Sequence, residues 1–170
     1  MNRTRALFIK LMQQYAIQGY RLSLLEIQKL AYFLQISGEP LRLKYEKHHY
    51  GPYAENLNFV LQHIEGHFIR GYGDRSRNVS IQLLPGAVEK ADIFLEASPD
   101  ATSHLESVAR LIEGFETPYG MELLSSVHWV CKEEKKPAKN PDEASEKIFT
   151  WNSHKKKIFK KIISLKPGTG

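Results

Sequence analysis

The sequence predicts an α+β fold that is mostly α-helical, with one small antiparallel sheet of about three strands inserted early. Three observations lead there. Apolar residues recur at helical spacing along most of the chain. Runs that read as strands are short and lie between about 41 and 84. The helical stretches begin and end at recognisable capping residues, glycines and prolines.

The first helix is expected over about Arg3–Ile17, where Leu7, Phe8, Leu11, Met12, Tyr15 and Ala16 form one apolar stripe. Ser23 followed by Glu26 fits a capping box and starts the second, in which Ile27, Leu30, Ala31 and Leu34 are inward-facing. Gly38 and Pro40 end it near Ser37. Leu41, Leu43 and Tyr45 alternate with Arg42, Lys44 and Glu46, a strand pattern that Tyr50-Gly51-Pro52 should break. A third helix is expected from about Tyr53 to Ile64. Apolar runs at His67–Tyr72 and Val79–Leu84 then read as a hairpin, joined by the earlier strand.

Pro85-Gly86 opens a second set of helices. One carries Ala87, Ala91, Phe94 and Leu95. The next is capped by Asp100, and Leu105, Val108, Ala109 and Ile112 share a face. Thr117-Pro118 starts another, with Met121, Leu124, Val127 and Val130. A charged break covers Lys132 to Asn140, and Asn140-Pro141 begins a helix with Ala144, Ile148 and Trp151 facing inward. The end is Lys-rich, with apolar residues at helical spacing. No internal repeat or low-complexity tract interrupts the chain.

With 170 residues, 42% hydrophobic and 25% charged, the chain fits one globular domain. Eight Tyr, eight Phe and two Trp supply bulky core or interface material. Cys131 is the one cysteine, so an internal disulfide or a multi-thiolate zinc site is excluded. No apolar run approaches the ~20 residues of a membrane span, and a cytoplasmic location is expected. Net charge is +5, but its distribution is uneven: +5 over 1–85, −6 over 86–130 and +6 over 131–170.

Few motifs point to chemistry. His63 and His67 are four apart, but Gly66 separates them and no third ligand is evident. His48 and His49 are adjacent on an expected strand end, so their side chains should diverge. Gly71-Tyr72-Gly73 lacks the strand-to-helix context of a phosphate loop. Glu113 and Glu116 share a helix flank, where a solvated acidic face is commoner than an acid/base pair. The run from Lys155 to Lys161 is the best nucleic-acid signal, set against a wet amphipathic helix face. No cofactor, metal site or catalytic constellation is expected.

Two blocks are distinctive: Leu25-Glu26-Ile27-Gln28-Lys29-Leu30-Ala31-Tyr32-Phe33-Leu34-Gln35 and His49-Tyr50-Gly51-Pro52-Tyr53-Ala54-Glu55-Asn56-Leu57. Further blocks are Ile64-Glu65-Gly66-His67, Gly71-Tyr72-Gly73-Asp74, Leu83-Leu84-Pro85-Gly86-Ala87, Ile112 through Gly120, Val127-His128-Trp129-Val130 and Trp151-Asn152. Together they resemble the C-terminal, toxin-binding domain of the DarG antitoxins and, more distantly, the Panacea antitoxin domain. One departure lies at the end: Lys166-Pro167-Gly168-Thr169-Gly170 stands where a further helix is expected of the family.

The resemblance implies a single toxin-neutralising domain over 1–165 and a frayed tail at 166–170. The family's macrodomain has no counterpart here. It implies a non-enzymatic antitoxin that binds a DarT-like DNA ADP-ribosyltransferase toxin one to one. The antitoxin would occlude the toxin's single-stranded DNA site by DNA mimicry, with no direct nucleic-acid or membrane contact. In that picture Glu113, Glu116 and Glu122 stand for phosphates, Phe115 and Tyr119 for bases, and His49, Tyr50 and Tyr53 form a second contact surface. The rival readings are a basic nucleic-acid-binding module led by Arg75, Arg77 and the Lys155–Lys161 run, and a hydrolase using a carboxylate pair.

Overall fold

The computed structural model describes residues 1–17, 22–73, 80–152 and 154–157. The chain is α+β and mostly helical, with α1 (Arg3–Ile17), α2 (Leu24–Ile36), β1 (Tyr45–His48), β2 (Gly51–Ala54), α3 (Leu57–Ile64), β3 (Ile69–Arg70) and β4 (Gln82–Leu83). Then follow α4 (Ala87–Leu95), α5 (Pro99–Ile112), α6 (Pro118–His128), a π-helical turn (Trp129–Glu133) and α7 (Pro141–Trp151). No helix among the described residues is long and apolar enough to cross a membrane.

Helix α2 is the central element. Every residue from Glu26 to Leu34 is buried, so the helix is enclosed on all sides by α1, α5, α6 and β2. Its start is fastened as the sequence implies: the Glu26 carboxylate accepts from the Ser23 backbone N–H at 2.8 Å and from the Ser23 hydroxyl. Its apolar side chains join those of α1, α3, α4 and α5 in the main core, where Phe8, Leu34, Leu57 and Leu61 are at most 2% exposed. A smaller cluster of Val130, Ala144 and Ile148 joins the π-turn to α7.

The strands depart from the sequence reading. Instead of one sheet of about three strands there are two separate antiparallel pairs, β1–β2 and β3–β4. Leu41–Lys44 is not strand. Arg42 takes a positive φ of 59°, and the Gln35 side chain bonds both the N–H and the C=O of Leu43, at 2.8 and 3.1 Å. Asn56 does the same for the Lys44 N–H and the Arg42 C=O. Side-chain amides here replace a neighbouring strand.

The expected helix from Tyr53 starts later, at Leu57, because Gly51–Ala54 turns back along β1, pairing Lys47 with Pro52. Gln28 of α2 secures that return strand through the Ala54 N–H and C=O, both at 2.9 Å. Gln28 and Gln35 are seven residues, two turns, apart and so share one face of α2. The N-cap of α5 is Ser98 rather than Asp100, which lies in the first turn and binds Arg3 at 2.8 Å. The expected caps Thr117 and Asn140 are in place, accepting from Gly120 and Glu143. The Arg75, Arg77 and 158–170 expectations lie outside the described residues.

Glu39, just after α2, is 3% exposed and ties three elements together. Its carboxylate pairs with the Arg3 guanidinium and accepts from His104 Nδ1 at 2.6 Å. Arg3, and secondarily His104, hold its pKa below the ordinary glutamate range. A folded-state pKa below the unfolded one stabilises fully above the unfolded value, about 4.3, and the benefit is lost as pH falls through the folded value. We therefore expect the urea midpoint to fall on acidification below about pH 4.3, and Glu39→Gln to shrink that fall. An unchanged acid slope in the variant would assign it to other carboxylates.

Candidate functional site

The β1–β2 hairpin projects from α2 and is held on two sides. Inside, Gln28 grips β2, and the Lys29 ammonium donates to the Pro52 C=O at 2.7 Å. Outside, the end of α7 latches the turn. The Trp151 indole donates to the His48 C=O at 2.8 Å, and Asn152 Nδ2 donates to the His49 C=O at 3.1 Å. Lys47 and Lys155 lie over the Trp151 ring, 4.6 and 4.7 Å from its centre. Lys47 also pairs with Glu134, which Lys147 of α7 reaches from the other side.

Between α2 and this hairpin lies a cleft of about 630 Å³. Lys29 and Gly51 line it together with the rings of His48, His49, Tyr50 and Tyr53. His48 stacks on Tyr53 with ring centres 4.8 Å apart, and His49 stacks on His154 at 4.9 Å. Tyr50 meets both His49 and His154 edge-on. The two histidines, expected to diverge along a strand, thus line one cleft because His48 ends β1 and His49 already lies in the turn.

Beneath the turn is a buried polar cluster. Glu122 is 2% exposed and Ser126 and Lys155 are 0% exposed. The Glu122 carboxylate lies 3.5 Å from both Lys155 Nζ and His154 Nε2. Burial, reinforced by Lys155 and opposed by Glu122 and Glu26, lowers the Lys29 pKa to about 7. Burial likewise lowers that of Lys155 to about 8, against the pull of Glu122. Gly51 makes this proximity feasible. Its φ is +107°, and a methyl built there would meet Ser126 Oγ at 3.1 Å and Lys29 Nζ at 3.2 Å.

The eight residues singled out from the sequence separate into groups. His49, Tyr50 and Tyr53 line the hairpin cleft. Glu122 faces the interior below the turn, so the acidic segment presents no single acidic face. Glu113 and Glu116 border a different cleft, of about 470 Å³, with Tyr15 and Arg110. Phe115 is half-buried and Tyr119 is 58% exposed. Lys155, expected on a wet helix face, is enclosed. Lys29, Ser126 and the paired glutamines were not singled out. The available signal was the adjacent polar pair Gln28-Lys29 inside a mostly apolar helix. Among the described residues no group of three or more His, Cys, Asp or Glu converges as a metal site.

No family model matches the chain. The chain is similar to proteins named DNA ADP-ribosyl glycohydrolase. It is 43% identical over 151 residues to the one from Thermus aquaticus, covering 89% of this chain and 41% of that protein. It is 36% identical over 171 residues to those of Mycobacterium bovis and Mycobacterium tuberculosis, covering 91% of this chain and 48% of each. The chain thus spans less than half the length of these curated relatives.

These relatives correct three expectations. They are named for an enzyme that acts on ADP-ribosylated DNA. The readings of a DarG toxin-binding domain, of an antitoxin that acts by occluding a toxin, and of a non-enzyme are overturned by that finding. ADP-ribosylation is the one element that the relatives' name shares with the expectation.

Proposed function

We propose that the chain works in the hydrolytic removal of ADP-ribose from DNA, and that the hairpin cleft takes the modified nucleotide. The observation that carries this reading is the lining of the cleft: four stackable rings beside a buried lysine, in a volume suited to a nucleotide-sized ligand. The relatives' name supports the substrate class. Rings such as His49 and Tyr50 offer faces to a nucleobase, at about 1–3 kcal/mol per stacked base. Lys47, exposed beside the turn, supplies positive charge for a diphosphate. This reading departs from the expectation of no direct nucleic-acid contact.

The overall reaction replaces the bond between the sugar's anomeric carbon and the base with a bond to a water oxygen, and the base keeps a proton. The test uses this chain and an ADP-ribosylated oligonucleotide, with the unmodified oligonucleotide as comparison. Chromatography follows free ADP-ribose and fluorescence anisotropy follows binding. We expect the modified strand to bind more tightly, and His49→Ala with Tyr50→Ala to weaken it by roughly tenfold or more, as loss of a stacking contact predicts. Release by the chain alone assigns hydrolysis to it. Preferential binding without release assigns the bond-breaking step to the additional length of the relatives. Equal affinity for both strands, with no release, overturns the proposal.

A further inference from the structure

The Asn152 amide is fixed in orientation by its neighbours. Asn152 follows α7, and its Oδ1 accepts from the Lys155 backbone N–H at 2.8 Å. Its Nδ2 therefore faces the hairpin, where it donates to the His49 C=O at 3.1 Å. A carbonyl oxygen takes only a donor, so both ends of the amide agree. The same Nδ2 lies 3.5 Å from His49 Nδ1. An amide nitrogen donates and does not accept, so it favours a lone pair on that ring nitrogen. In a neutral imidazole the proton then sits on Nε2.

The ring is also held in place. His154 stacks on it with ring centres 4.9 Å apart, and Tyr50 meets it edge-on at 4.6 Å. Among the described residues Nε2 has no hydrogen-bond partner, and His49 is exposed and lines the 630 Å³ cleft. A donor of fixed direction is thus left unused at the cleft. A cation accompanies it. Lys47 stands over the ring of Trp151, the residue before Asn152, and its side chain is 42% exposed. Its pair with Glu134 lies at the surface, where such a contact is weak enough to be exchanged for a ligand.

We propose that Asn152 is a positioning residue that keeps His49 in the neutral Nε2–H tautomer. The cleft then presents a directed N–H, beside the Lys47 ammonium, to a phosphate oxygen of a bound ADP-ribose. Such an oxygen accepts from both groups, taking charge complementarity from the lysine and direction from the imidazole. The opposite tautomer would turn a lone pair toward the same oxygen and repel it. The ligand rests on the nucleotide reading of the cleft, whereas the tautomer rests on the Asn152 contacts.

The test reverses the tautomer while leaving an acceptor for the Lys155 N–H. Asn152→Asp keeps that oxygen but turns a second acceptor toward Nδ1, which should draw the proton there and leave Nε2 a bare acceptor. Nitrogen NMR of the histidine rings, in alkaline solution where imidazoles are neutral, should show the proton on His49 Nε2 in the wild-type chain and on Nδ1 in the variant. Calorimetry with ADP-ribose follows binding, which Asn152→Asp should weaken by about tenfold or more. His49→Gln donates through an amide that has no tautomers, so the same change in that background should cost at least about fivefold less. Both backgrounds share the added charge and the lost partner of the residue 49 C=O, so the difference isolates the tautomer. Equal losses in the two backgrounds, or ring nitrogens unaltered by Asn152→Asp, overturn the proposal. A wild-type chain that prefers the modified oligonucleotide yet binds no ADP-ribose overturns it while the nucleotide reading survives. No preference for the modified strand removes that reading and the proposal together.

Discussion

Replacing Gln28 with Leu is expected to lower stability by about 3 kcal/mol, because it strands a buried backbone donor and a buried backbone acceptor together. The side chain fits the space by volume, so packing is not the main loss. Gln28 is 1% exposed, and both its amide oxygen and its amide nitrogen are engaged at 2.9 Å with Ala54, which is 0% exposed. Leu offers neither bond, and water cannot reach Ala54 to replace them. At roughly 2–4 °C per kcal/mol for a domain this size, the thermal midpoint should fall by roughly 6–12 °C. Differential scanning calorimetry reads it directly. Gln28→Glu is the informative companion: the neutral acid keeps both an acceptor for the Ala54 N–H and an O–H donor for its C=O, whereas the carboxylate keeps the acceptor alone, so the recovered stability should be lost as pH rises through the carboxyl pKa. A drop of less than about 1 kcal/mol in Gln28→Leu would mean that the hairpin shifts to satisfy Ala54 elsewhere.

The second large effect is expected at Gly51. Changing it to Ala places a side chain on a backbone of φ +107°, a strain of about 1–3 kcal/mol before any contact is counted. The added methyl then meets Ser126 Oγ and Lys29 Nζ at 3.1 and 3.2 Å. The Lys29 head is the flexible partner and would retreat, giving up its bond to Pro52. Loss of stability should therefore come with a raised Lys29 pKa, as the amine moves toward better-solvated surroundings. Urea unfolding gives the first quantity, and NMR titration of selectively labelled lysine gives the second. A destabilised variant with an unaltered Lys29 titration would leave backbone strain as the entire cost.

These two residues also show how far the sequence could be read. The helices α1, α2, α4, α6 and α7 were visible because a 3.6-residue apolar repeat and its caps are local features, encoded within a few neighbours of each other. The hairpin was not, because its hydrogen bonds are made at a distance. Gln28 reaches Ala54 across 26 residues and Gln35 reaches Leu43 from another element. Nothing in an alternating Leu-Arg-Leu-Lys pattern says that a helix side chain, rather than a strand, will take those backbone groups. Gly51-Pro52 looked like a break before a helix for the same reason. A proline pairs in a strand when the N–H it lacks is not needed, and only the partner's position decides that.

The candidate site divides along the same line. His49, Tyr50 and Tyr53 were drawn from a contiguous block, and the fold keeps them together at one cleft. The acidic segment was a count of charge along the chain. Glu113 and Glu116, expected on one helix flank, lie instead in the connection after α5 that runs beside α1, and α6 turns Glu122 inward, so the three share no face.

By itself, the sequence determined the mostly helical class and the positions of most helices, with the caps Ser23, Thr117 and Asn140, since each rests on short-range pattern. Tertiary structure alone decided that Lys29, Glu122, Ser126 and Lys155 meet beneath Gly51. They come from three elements whose side chains point inward only once α2 is enclosed on all sides, and burial then shifts the charge of the lysines in a way no local pattern encodes.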